Sequence, residues 1–357
     1  MKKYLLVLIL ILSLFTSCDM FLALVQNHGS STNRILENNI LNQINQEGPI
    51  STSFDDAVYE ANYLDDFEPE ETDYLPLDIQ PKAKEGGYSL KSGLYSMRAK
   101  SFCLKGGTHG PSKGDGHLYA PLQGKKAHLV QMIIQRYDER LLVSQRSVQT
   151  LLWAVVAGAD MTSLDPKHKL TLSQLFSAPE LLRFQEKDQL IGVVDKKIDQ
   201  WTKLAGEKNY QRLRNLLEAE NKIRTMVQQN NSYEEIEAVA IVQGLAPSSE
   251  MIRKVSKGRW SYHPNGFFVR FFPSGYSKTR VDVYVPFADD LTFDQSGMPT
   301  FINNKSIEEK VVVFNPSTMV ATPANRSSQR IGVSSKPVKK TPPVKKTPPE
   351  RNDVIQH

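Results

Sequence analysis

The sequence predicts an α+β protein: a mixed α/β core domain, then a helical segment and a small antiparallel β domain, between a disordered N-terminal spacer and a disordered C-terminal tail. Three observations predict it. Apolar residues recur at helical spacing between Leu129 and Ile223, they alternate with period two around Tyr95–Cys103 and again after Ser256, and both ends lack a period. With 357 residues, 40% hydrophobic and 23% charged, the composition is globular and excludes a collagen, a wholly disordered chain and a disulfide-stapled miniprotein. A net charge of +5 over this length gives no ground for nucleic-acid binding.

The N-terminus predicts the compartment. Lys2 and Lys3 precede a run from Tyr4 to Phe15 that is apolar or aromatic except at Ser13. That run is shorter than the roughly 20 residues of a membrane-spanning helix and reads as an export signal. Leu14-Phe15-Thr16-Ser17-Cys18 resembles the lipobox of bacterial lipoproteins, with Phe15 in place of the usual Leu or Val. The resemblance implies a signal peptide over 1–17, diacylglycerol on Cys18, and a protein lipid-anchored in the bacterial cell envelope, with the outer membrane as the expected site. Cys103 is then the one cysteine without a partner.

From 18 to 85 the chain reads as an acidic flexible spacer, with Asp55, Asp56, Glu60, Asp65, Asp66, Glu68, Glu70, Glu71 and Asp73 among few aliphatics. The core is expected over 86–170. Gly86-Gly87 opens it, and Tyr95, Met97, Ala99, Ser101 and Cys103 alternate with Ser96, Arg98, Lys100 and Phe102 as on a strand. The Gly-rich loop from Gly106 to Gly116 fails the phosphate-binding pattern, since Ser112-Lys113-Gly114 lacks both the Gly before the lysine and the Ser or Thr after it, so it reads as a turn. Two helices follow. Leu129, Met132, Ile133 and Tyr137 mark one apolar face, whereas Ser147–Ala157 is apolar almost all round except at Gln149, whose buried amide needs a partner.

A helical segment is expected over 171–255. Ser177-Ala-Pro-Glu180 is a capping box, Val194, Ile198, Trp201 and Ala205 mark a second helix, Leu213, Leu216, Leu217 and Ile223 a third, and Ser232 with Glu235 caps a fourth. An antiparallel β domain is expected over 256–322, from the hairpin signal Asn265-Gly266, the alternation of Val281, Val283 and Val285, and a strand from Glu309 to Phe314. The rest, 323–357, reads as a basic Pro-rich tail because Val338-Lys-Lys-Thr-Pro-Pro repeats at Val344.

Metal ligation has no support from the spacing of the seven histidines, and no cofactor is expected. A cysteine hydrolase would pair Cys103 with His109 or His117 as base, although a histidine in the same loop is poorly fixed for that work. The more specific constellation is Phe102-Cys103-Leu104 with Val148-Gln149-Thr150-Leu151-Leu152-Trp153. It resembles the thioester domains of bacterial surface adhesins. The resemblance implies that the Cys103 thiol displaces ammonia from Gln149, that Trp153 shields the ester, and that an amine-bearing surface protein is captured through an amide. Val148 stands where Thr is usual, Leu151 where Ala is usual and Lys105 where an acid is usual, and 46 positions separate Cys103 from Gln149, fewer than the family shows. The expected function is therefore a non-enzymatic, lipid-anchored envelope or surface protein with adhesin-like binding. One alternative is a structural envelope lipoprotein that binds peptidoglycan, an acidic glycan or a partner protein without a covalent bond. The other is the Cys103 hydrolase.

Overall fold

A computed structural model describes residues 49–50, 54, 57, 64–65, 67–111, 116–181, 207–251, 253–287, 291–293, 299–301 and 309–338. The leader, Cys18, the 194–205 helix and the Lys-Pro repeats lie outside these residues. In chain order the elements are β1 (Leu75–Pro76), β2 (Tyr88–Lys91), β3 (Gly93–Cys103), β4 (Thr108–His109), β5 (His117–Tyr119), α1 (Ala127–Glu139), α2 (Gln145–Val156), α3 (Pro166–Leu175), α4 (Glu207–Met226) and α5 (Tyr233–Ala240). There follow β6 (Ile241–Val242), β7 (Ser261–His263), β8 (Phe267–Pro273), β9 (Lys278–Val285), β10 (Leu291–Phe293), β11 (Pro299–Phe301), β12 (Val311–Phe314), β13 (Val320–Pro323) and β14 (Ile331–Pro337). The class is α+β, with helices grouped beside antiparallel sheet.

Local signals place the helix ends. The Ser144 hydroxyl caps α2 by accepting from Ser147 N at 3.0 Å, and Asp165 caps α3 by accepting from Lys167 N and His168 N, with Pro166 at the first position. Ser232 and Glu235 form the expected capping box of α5. In α2 every residue from Val148 to Val156 is buried, as a helix apolar on all sides requires. With Leu129, Ile133, Ile134 and Tyr137 of α1, Leu172 and Leu175 of α3, Ile223 of α4 and Ile236 of α5, these residues make one core. The helical segment thus packs on the core domain.

Strand β3, eleven residues long, is the spine of an eight-stranded sheet of order β5-β13-β14-β3-β9-β8-β7, with β1 added parallel to β3. From Tyr95 to Lys100 the side chains of β3 sort by parity. Tyr95, Met97 and Ala99 join Val281, Val283 and Val285 of β9 and Phe267, Val269 and Phe271 of β8 in a second core, closed by Tyr88 and Leu90 of β2 and Val312 and Phe314 of β12. Gly87 lets β2 enter there, since a Cβ at its φ of +78° would stand 2.3 Å from Phe314 O.

The opposite face of the three strands runs in rungs. Leu94, Tyr284 and Phe268 form an aromatic rung with Trp260 and Phe67; Ser96, Asp282 and Arg270 form an ionic one. Arg270 Nε donates to Asp282 Oδ2 at 3.0 Å and Ser96 Oγ to Oδ1 at 2.7 Å, while the Arg270 guanidinium also reaches Glu68 at 3.2 Å and Tyr74 Oη at 2.5 Å. Arg270 and Asp282 are 4% and 1% exposed, so each charge depends on the other for its burial.

Three expected boundaries differ from the structure. The 86–170 core and the 256–322 β domain share one sheet, because β3 pairs with β9 along eight residues. Part of the tail expected from 323 is ordered: β14 pairs with β3, and Ile331 and Val333 are fully buried, so their short alternation outweighs the neighbouring Lys-Pro composition. Within the expected spacer 18–85, Leu77 is buried and Glu68 and Tyr74 dock on Arg270, since acidic residues order where a buried cation needs them.

Asp282→Ala leaves buried Arg270 only the exposed Glu68 as counter-charge, so it should cost about 3 kcal/mol in urea unfolding. A second expectation concerns acid. His263 stacks on Phe267 at 4.4 Å, and burial pushes its pKa down to about 4 from 6.5. As pH falls below 6.5 the unfolded chain takes up a proton that the folded chain refuses until about 4. Stability should therefore fall by about 3 kcal/mol across that window, and His263→Gln should flatten the slope.

Candidate functional site

Cys103 and Gln149 meet where β3 ends against α2. Cys103 N donates to Gln149 Oε1 at 2.8 Å, and Gln149 Nε2 donates to Cys103 O at 2.9 Å. The carboxamide thus pairs with both main-chain groups of one residue, as a neighbouring strand would. One turn earlier on α2, Gln145 Nε2 donates to Ser101 O at 3.0 Å and to Ser277 O at 2.8 Å. Strand β9 leaves β3 after Lys100, and the two glutamines take over that edge. The match has a simple cause: two residues of strand span about 6.6 Å and one turn of helix about 6 Å, so residues i and i+4 of a helix reach residues i and i+2 of a strand. The buried amide that the sequence leaves unexplained therefore has its partner.

The thiol is wholly buried in the helical core. Cys103 Sγ donates to Lys105 O at 3.0 Å, an oxygen that also accepts from Thr108 Oγ1 at 2.7 Å. Burial pushes the Cys103 pKa up to about 11, against smaller lowering effects of the Lys105 main chain, the Trp153 indole and the Lys105 charge. The Trp153 N–H favours the thiolate from outside hydrogen-bond geometry; Nε1 has no bonded acceptor.

Beyond Trp153 stands a second aromatic layer. The Tyr233 ring centroid is 5.7 Å and the Tyr276 centroid 6.0 Å from that of Trp153. The two hydroxyls are 2.5 Å apart, and Tyr276 Oη also donates to Glu237. The Arg146 guanidinium lies 4.9 Å from the Tyr233 centroid and pairs with Glu234 at 2.7 Å. Desolvation raises the Tyr233 pKa to about 12 and that of Tyr276 further, so both stay neutral. Neither tyrosine stood out in the sequence, because each lies on a different element from Trp153 and only the packing of α5 and the β8–β9 turn brings them there.

The structure thus brings together Cys103, Gln149 and Trp153, whereas Cys18 lies outside the described residues. The histidines weighed as bases go elsewhere: the His109 ring bonds to Gly244 O at 3.2 Å and His117 is buried in β5. Among the described residues no hydrogen bond joins either one to Cys103. Within the same residues no three His, Cys, Asp or Glu side chains gather as a metal site, and no helix is long and apolar enough to cross a membrane. Gly107, in the Gly-rich loop, has φ +68° and packs against Ala219 of α4; its N–H bonds to Ala240 O at 2.9 Å, which suits a turn. Comparison with protein-family models, curated proteins and solved structures found no match.

Replacing Gln149 by Leu leaves the Cys103 N–H and C=O unpaired in the core and should cost about 2–4 kcal/mol in denaturant unfolding. In that variant, which has no amide to acylate, the thiol should resist a thiol reagent at pH 8 until the chain unfolds, since its pKa is about 11.

Proposed function

We propose that this chain is a lipid-tethered, adhesin-like binding protein of a bacterial envelope whose Cys103 and Gln149 close an internal thioester. One observation carries the reading: the Gln149 carboxamide is held against Cys103 by two hydrogen bonds, with both residues buried in the core. The Cys103 N–H already donates to the carbonyl oxygen on which charge develops when the thiol adds, as an oxyanion donor does. In the closing step the sulfur bonds to Gln149 Cδ, the C–N bond breaks, and the thiol proton leaves with the amide nitrogen as ammonia. A surface amine that later attacks the ester forms an amide at residue 149 and returns the proton to sulfur. Dry surroundings protect such an ester from hydrolysis, and Trp153, with Tyr233 and Tyr276 outside it, supplies them.

A second reading, non-covalent binding to glycan or a partner protein, draws support from Gln145. A pair of glutamines that continues the β3 edge has a structural purpose without any reaction. A buried thiol with its pKa raised to about 11 does not favour the hydrolase.

Intact and peptide-level mass measurement separates the two readings. The full chain, Cys103→Ala and Gln149→Ala are compared before and after methylamine. The thioester requires that the native protein alone be lighter by one ammonia and gain methylamine at Gln149. Unmodified masses throughout end the covalent reading and leave the non-covalent one.

A further inference from the structure

The cationic end of the central sheet meets an apolar tip. On the face that carries the ionic rung, Lys100 of β3 stands opposite Lys278 of β9, and Arg98 lies two residues back. Pro337 of β14 is opposite Ala99, which sets Lys336 beside Lys100. Both lysines converge on Tyr137: Lys100 Nζ donates to its hydroxyl at 3.2 Å, and Lys336 Nζ lies 3.7 Å from the ring centroid and donates to Arg140 O at 2.5 Å. Nearby carboxylates form no ion pair with these cations, although the Asp138 charge acts on Lys336. Asp138 accepts from Ser334 Oγ and Ser335 N, Glu139 pairs with Arg136 at 3.0 Å, and Glu234 pairs with Arg146. Among the described residues none stands within ion-pair distance of Arg98, Lys100, Arg140, Lys278 or Lys336.

The chain between α1 and α2 adds the second component. Leu141 is 90% and Leu142 97% exposed, the highest values for large apolar side chains among the described residues. Helix caps fix both ends of this short loop. Arg140 N bonds back to Arg136 O and Tyr137 O, Val143 is buried, and Ser144 caps α2. Gln145, bonded to Ser277 O, ties the loop to the strand end that carries Lys278. Rigid neighbours therefore hold two leucines out in water beside five cations. A polyanion or an acidic protein is satisfied by cations alone, whereas adjoining leucines gain free energy by entering hydrocarbon. Val338 N bonds to Arg98 O at 2.7 Å, which holds the end of β14 beside Arg98.

We propose that the Leu141–Leu142 tip enters the boundary between headgroups and acyl chains of a bilayer containing anionic phospholipid, with Arg98, Lys100, Arg140, Lys278 and Lys336 set on the phosphates. This docking does not use the thioester. It gives a body tethered near its N-terminus a defined face toward the membrane, so it extends the tether reading and is tested apart from it.

The test uses the full chain with Leu142→Trp, bound to phosphatidylcholine–phosphatidylglycerol vesicles or to phosphatidylcholine alone, each carrying brominated acyl chains as quencher. Leu245→Trp is the control. Leu245 is 75% exposed and follows β6, at the opposite end of α5 from Arg146 and Tyr233. Vesicle co-sedimentation reads the tether, and quenching of the added tryptophan, after subtraction of the wild-type signal, reads the tip. Docking requires quenching of Leu142→Trp on anionic vesicles at least severalfold above Leu245→Trp, and loss of most of it with Arg140→Glu/Lys278→Glu. Both of those side chains are exposed, and circular dichroism checks that the variant folds. Quenching no greater than the control overturns the proposal and leaves a protein or polyanion as the occupant of this face. Quenching indifferent to anionic lipid overturns it as well.

Discussion

A central strand in a dry interior must find a partner for every main-chain N–H and C=O, and β3 meets that demand from four directions. Strand β9 serves one edge from Gly93 to Lys100, β1 and β14 share the other, and α2 completes the first edge with glutamine side chains. The last arrangement explains why an otherwise apolar helix carries amides one turn apart, and why that helix sits where it does. Once Gln145 and Gln149 face the strand, Trp153 comes over the Cys103 sulfur and the remaining apolar side chains of α2 turn to α1, α3 and α5.

The same geometry joins structure to chemistry. An amide held by a main-chain N–H and a main-chain carbonyl has a fixed orientation and a polarised carbonyl, the two conditions for attack by a neighbouring thiol. Burial acts in both directions. It raises the thiol's pKa and slows formation of the nucleophile, yet it keeps water from an ester once formed. Trp153 in turn packs against Tyr233 of α5 and Tyr276 of the β8–β9 turn.

On the outer face of the sheet, polarity is ordered along β3. Aromatic contacts come first, then the Arg270–Asp282 pair, then Arg98 and Lys100, and then Phe102 beneath α1. The ionic rung fastens the acidic chain through Glu68 and Tyr74. Among the described residues no acidic segment pairs with Lys100 or Lys278, and Lys100 bonds instead to the Tyr137 hydroxyl. Charge on this face thus has two fates, set by whether an acidic segment lies within reach.

Much of this was determined by the sequence alone: the α+β class, the helices and the Ser232 cap, the Asn265-Gly266 hairpin and the inward parity of Tyr95, Met97 and Val283. Local periodicity and capping chemistry depend on neighbours within a few residues, so they are legible in one dimension. The sequence also singled out Cys103, Gln149 and Trp153, since an unpaired cysteine and an amide in an apolar helix are anomalies without any coordinates. Tertiary structure alone decided the rest. That β3 and β9 share a sheet, that Ile331 and Val333 belong to it, that Arg270 meets Asp282, and that Gln145 joins Gln149 on the strand edge all depend on register between distant segments. Register follows from the packing of whole faces against one another, which no short window of sequence contains.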